Sequence, residues 1–101
     1  SGGSINQQNI NLSDADVIVL NQNTPNPFAE QTTISYNVPA KYKFAQMVFK
    51  TIEGKILRTV DITTKGKGQL NVFASDLSAG LYVYSLIVDG EIIDTKKMVK
   101  E

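Results

Sequence analysis

The side chains able to do chemistry in this chain are carboxylates and lysines. There is no cysteine and no histidine among its 101 residues. Without them the familiar nucleophile–base pairs cannot be assembled. The usual nitrogen and sulfur ligands of zinc are missing too. Asp14 and Asp16 share a parity and could meet Asp89, Glu91 or Asp94 in space, as a carboxylate pair or a calcium cluster. No spaced calcium-loop pattern supports this, and carboxylates at turns and edges mostly keep a surface wet. Lys65-Gly66-Lys67-Gly68 lacks the glycine spacing and final Lys-Ser/Thr of a phosphate loop and reads as a soluble turn. Lys96-Lys97 has two readings, a basic patch for an anionic partner or lysines that guard an exposed strand edge. Ten basic residues balance ten acidic ones, so no global charge draws the chain to nucleic acid or an anionic bilayer. No cofactor and no small-molecule substrate is expected.

The elements that position these groups follow from periodicity. At 42% hydrophobic residues the composition is that of a globular domain with one modest core. No apolar run approaches the roughly 20 residues of a membrane helix. Ser1-Gly2-Gly3-Ser4, without an initiator methionine, reads as a cloning scar or a linker. Residues 1–16 are expected to be a lead-in, with a short edge strand around Ile10–Leu12 as the alternative. Val17-Ile18-Val19-Leu20 is a β-branched run and predicts a strand. In Asn21-Gln22-Asn23-Thr24-Pro25-Asn26-Pro27-Phe28 two prolines bracket one asparagine, which dictates a shaped, extended loop.

Alternation then takes over. Thr32, Ile34, Tyr36 and Val38 are expected to face a core, with Thr33, Ser35 and Asn37 towards water. Ala45, Met47 and Phe49 repeat the pattern, and Glu53-Gly54 makes a turn with Gly54 at positive φ. Ile56 to Ile62 predicts a strand with Ile56, Val60 and Ile62 inward. Arg58 shares that parity, which places it near an edge or demands a bulge. Leu70, Val72 and Ala74 alternate in the next strand. Asp76 to Gly80 is a compact turn. In Leu81 to Val88, Tyr82, Tyr84, Leu86 and Val88 share one face while Leu81, Val83 and Ile87 make the other apolar too. That predicts a central strand, or one with a partner on its second face. Its tyrosines are expected in the core, and a sugar-stacking platform would need them exposed. Asp89-Gly90 is a hairpin signal before the last strand, Glu91 to Lys100. About seven antiparallel strands without a helical stripe predict an all-β, immunoglobulin-like β-sandwich.

Three stretches together resemble a known family. They are Leu20 to Phe28 followed by Thr32-Thr33-Ile34-Ser35-Tyr36, then Gly54-Lys55-Ile56-Leu57, then Asp76 to Leu86 with Asp89-Gly90 and Lys96-Lys97-Met98-Val99-Lys100. In this order they are similar to the type A C-terminal sorting domains of the type IX secretion system of Bacteroidetes, over residues 17–101. Pro25, Asn26, Pro27 and Phe28 match the family's early loop, and Gly54 its turn glycine. Gly80, Tyr82 and Tyr84 match its glycine–aromatic strand, and Lys96, Lys97, Met98 and Val99 its terminal motif, tied to recognition. Ala29-Glu30-Gln31 departs from the Asn-Pro often found there.

The resemblance implies a non-catalytic signal, on an immunoglobulin-like fold, that takes an N-terminal passenger from the periplasm through the outer-membrane translocon. A shuttle barrel recognises it and a sortase-like peptidase often removes it. The passenger is then released or joined to anionic lipopolysaccharide. Cleavage is expected in the stretch before Val17. The residues alone leave two other readings open, a carbohydrate-binding or adhesion module and a chaperone-like domain that keeps its passenger foldable.

Overall fold

A computed structural model describes residues 17–101. The expected edge strand around Ile10–Leu12, and Asp14 and Asp16, lie outside the described residues. The chain is all-β, with seven antiparallel strands in two sheets, an immunoglobulin-like β-sandwich, and no helix among the described residues. We number the strands β1 (Val19–Leu20), β2 (Gln31–Val38), β3 (Ala45–Thr51), β4 (Ile56–Asp61), β5 (Gly66–Phe73), β6 (Gly80–Val88) and β7 (Glu91–Lys100). One sheet has the order β1-β2-β5 and the other β4-β3-β6-β7.

Alternation decides which side chains meet between the sheets. Thr32, Ile34, Tyr36 and Val38 of β2 are buried, as are Met47 and Phe49 of β3 and Tyr82, Tyr84, Leu86 and Val88 of β6. Phe49 and Tyr84 stack at a tilt, ring centroids 6.1 Å apart. β6 is central, paired with β3 on one side and β7 on the other. Its second face, Leu81, Val83 and Ile87, points outward and stays partly exposed. The Asp89-Gly90 turn has φ of 48° and 86°, the left-handed pair of a tight hairpin. The Asp89 carboxylate accepts the amides of Lys43 and Phe44 at 3.0 and 2.8 Å, so it works as a structural clamp.

Five sequence expectations need correction. The first strand is Val19–Leu20, shorter than the run from Val17, because only those two residues register with Asn37 and Tyr36. Asn37, expected in water, is buried; its amide donates to the Val17 carbonyl at 2.7 Å, which replaces solvent. β4 ends at Asp61, and Ile62 follows it as a buried residue. Ile56, expected inward, is 59% exposed. The cause is a bulge: Phe49 opposes Arg58 while the next residue, Lys50, opposes Ile56, so Leu57 is left over and the parity flips. Arg58 thus lies both on an edge strand and beside a bulge. Finally, Gly66 to Gly68 already belong to β5. A Cβ on Gly68 would sit 2.6 Å from the Tyr36 hydroxyl, so the glycine is where the tyrosine lies across the neighbouring strand.

Candidate functional site

The proline-bracketed loop lies against the final strand. The Phe28 amide donates to the Val99 carbonyl at 2.9 Å, and the Glu101 amide donates to the Phe28 carbonyl at 2.8 Å. Phe28 therefore forms a one-residue parallel bridge with Lys100. Two residues earlier, the Asn26 side-chain carbonyl accepts the Val99 amide at 2.8 Å, and the Gln22 amide donates to the Lys97 carbonyl. On its other side the loop is tied to β2. Thr24 and Thr33 exchange two backbone bonds of 2.9 Å, and the Asn21 amide donates to the Ser35 carbonyl at 3.0 Å. The loop thus spans from one sheet to the other and seals that side of the sandwich.

Prolines give this loop its shape, since neither can donate an amide and each restricts its predecessor. Both X–Pro bonds, Thr24–Pro25 and Asn26–Pro27, are cis. A buried polar network holds the turn from beneath. The Asn23 amide donates to the Pro25 carbonyl and to the Thr32 hydroxyl, both at 3.0 Å. The Thr32 hydroxyl donates to the same Pro25 carbonyl at 2.7 Å. Phe28, 1% exposed, is the apolar anchor, and its burial contributes roughly 1.5–3 kcal/mol.

Strand β6 fixes the loop from the core side. The Tyr84 hydroxyl donates to the Asn21 carbonyl at 2.8 Å. Burial pushes the Tyr84 hydroxyl up to about 12; the Asn23 backbone pulls it part of the way back, and Asp94 adds to the rise. The Tyr82 hydroxyl donates to the Ser78 carbonyl at 2.7 Å and pins the turn before Gly80 to its own strand. Gly80 opens β6 opposite Lys100.

The structure therefore brings Pro25, Asn26, Pro27, Phe28, Gly80, Tyr82, Tyr84, Met98 and Val99 to one side and one end of the sandwich. Gly54 stands apart from the loop. It has φ of 99° in the β3–β4 hairpin, at the sheet end marked by the register Thr51–Tyr82–Met98. Lys96 and Lys97 do not form one patch. Lys96 opposes Tyr84 and has the parity of the inner face; Lys97 opposes Val83 and has the parity of the outer one. Lys96 pairs with Asp94 at 3.6 Å. The free edge of β7 is also not open along its length, because the loop occupies it from Lys97 onward. Glu91 to Lys96 remain without a strand neighbour on that side among the described residues.

Sequence reasoning placed Thr32 inward, as found, but gave it no polar role, and gave none to Gln22 or Asn23. Pro25 has no amide for an ordinary asparagine turn, so the bond from the Asn23 side chain to the Pro25 carbonyl left no local signal. Among the described residues no group of three acidic, cysteine or histidine side chains is arranged to hold a metal ion. Asp89, Glu91 and Asp94 do not form such a group.

A family model described as the secretion system C-terminal sorting domain matches residues 24–101. Searches of curated proteins and of solved structures returned no match.

Proposed function

The chain belongs to the C-terminal sorting domain family of the type IX secretion system, and from that membership we propose that it is a folded, non-catalytic tag. It directs an N-terminal passenger out of the cell or onto its surface. An outer-membrane shuttle barrel recognises the tag, and a sortase-like peptidase removes it by cutting before Val17. The freed passenger is released or joined to anionic lipopolysaccharide.

The observation that carries this reading is the latch of loop 21–28 on β7. It ties together the early loop, the glycine–aromatic strand and the terminal motif, stretches far apart in sequence, with Phe28, Tyr84 and Met98 buried beneath the contact. A receptor that reads the exposed residues above it reads foldedness as well as sequence. The latch leaves the outward-facing Lys97 and the uncovered edge of Glu91 to Lys96 for backbone pairing and charge orientation. The carbohydrate-binding reading needed Tyr82 and Tyr84 at the surface, and both are buried.

The test is a secretion assay. Residues 5–101 are fused behind an exported fluorescent reporter in a Bacteroidetes host, with and without a working type IX translocon. Reporter outside the cell only with the intact translocon is expected. A folded fusion that stays in the periplasm of both strains would overturn the reading. Passenger misfolding on removal of the domain would point to the chaperone-like role.

A further inference from the structure

The reason strand β1 is so short lies in its neighbour. Its ladder with β2 pairs Leu20 with Tyr36 and Val19 with Asn37. At one end of this ladder the Asn21 amide donates to the Ser35 carbonyl at 3.0 Å. Hydrogen-bonded pairs recur at every second residue of an antiparallel ladder. Positions 19 and 37 are therefore the next such pair, and 17 and 39 would be the one after. Residue 39 is proline, which has no amide to give the Val17 carbonyl. Its own carbonyl accepts the Tyr42 amide at 3.2 Å in the turn that follows, so residue 39 offers β1 neither half of a pair. A side chain supplies the missing donor. The Asn37 amide, on a residue only 4% exposed, donates to the Val17 carbonyl at 2.7 Å. Val17 is held in this way although it belongs to no strand and is 40% exposed. Ile18, beside it, packs against the core.

We propose that Asn37 is a positioning residue for removal of the tag. By gripping the Val17 carbonyl it fixes the last bond a peptidase can reach and closes the chain from Val17 onward to cutting. A peptidase needs its substrate chain extended and accessible, so cutting at Val17 to Leu20 requires these residues first to peel off β2. The rate then follows the population of the peeled state. Because β1 has only two residues, the Asn37 bond is a large share of what resists peeling. Pro39 sets where the backbone ladder stops, and Asn37 carries the hold on to Val17. Removal breaks one peptide bond. Its acyl half leaves with the passenger, to water or to an acceptor's nucleophile, and its amine stays as the tag's new N-terminus. The proposal rests on the sorting reading with cleavage, and adds that no residue from Val17 onward leaves with the passenger.

The test has a purified arm and a cellular arm, both on the reporter fusion of residues 5–101. In the first, proteinase K digests the purified fusion and mass spectrometry reads each cut. The native resistant core is expected to begin no later than Val17. Asn37→Leu removes the donor at similar size, and cutting between Val17 and Leu20 should rise about tenfold, the worth of one hydrogen bond. Pro39→Ala restores a backbone amide where the ladder needs one. The double variant Asn37→Leu, Pro39→Ala should therefore return to within about twofold of the native rate, a rescue that a mere packing role of Asn37 would not give. Should Asn37→Leu fail to fold, Asn37→Ser, too short to reach Val17, replaces it. In the second arm the C-terminus of the exported reporter is read by mass spectrometry. It should fall before Val17 in the native fusion, and ends between Val17 and Leu20 should appear with Asn37→Leu. Unchanged cutting in the Asn37 variant, absence of the Pro39→Ala rescue, or native ends at or beyond Val17 would overturn the proposal. A reporter that is never exported, or is exported with the tag still attached, instead overturns the sorting reading with cleavage, and this proposal with it.

Discussion

The side-chain carbonyl of Asn26 accepts the backbone amide of Val99 at 2.8 Å, across 73 positions of sequence. One loop asparagine thereby caps the edge of the final strand at the last residue of its terminal motif. Replacing it by alanine leaves the Val99 amide to solvent. Asn26→Ala is expected to cost about 1 kcal/mol, the net worth of an ordinary hydrogen bond. Urea unfolding measures the loss, and faster amide exchange at Val99 than at Met98 locates it.

Phe28 is the larger anchor. Phe28→Ala opens a cavity and is expected to cost about 3–5 kcal/mol, a large part of a small domain's stability. Because the same residue bridges Lys100, the variant should also gain protease sensitivity near the C-terminus. A Phe28→Ala protein with unchanged midpoint and protease pattern would contradict the latch.

Thr32 is fully buried and joins Asn23 to the Pro25 carbonyl. Thr32→Val keeps the shape and removes the hydroxyl. It leaves the Asn23 amide short of one acceptor, and should cost about 1–3 kcal/mol. Thr59→Val, at an exposed threonine of β4, is the comparison and should change stability by less than about 0.5 kcal/mol.

Tyr84 makes the stability depend on alkaline pH. Its hydroxyl is raised from 10.0 to about 12 in the folded protein. Below the unfolded value both states hold the proton and the contribution is complete. Between the two values the unfolded chain gives up its proton first, so rising pH favours unfolding and the contribution is lost as pH passes through the folded value. Unfolding free energies from urea at about pH 9 and about pH 11.5 should differ more for the native protein than for Tyr84→Phe, by about 2 kcal/mol.

Lys96 and Lys97 should separate in function because they have opposite parity. Lys97→Glu is expected to leave stability within about 0.5 kcal/mol and to lower export of the reporter fusion. Lys96→Gln should act weakly on both, as its partner Asp94 is itself partly exposed. Equal export defects from the two variants would overturn this separation.

Much of this protein is legible in its residues in order. Period-two alternation in Thr32–Val38 and Leu81–Val88 named the buried face, because successive strand side chains point to opposite sides. Asp89-Gly90 and Gly54 named their turns, because few residues tolerate positive φ. The motif stretches named the family. Tertiary structure alone decided what those stretches do to each other. Nothing local says that Asn26 reaches Val99, that Tyr84 reaches Asn21, or that Asn37 is paired out of water, since each depends on which backbone groups the folded sheets leave open. The parity of Arg58 in Ile56 to Ile62 raises a bulge as one alternative, but does not say that it falls at Leu57: parity along one strand is local, and register is set by the strand beside it.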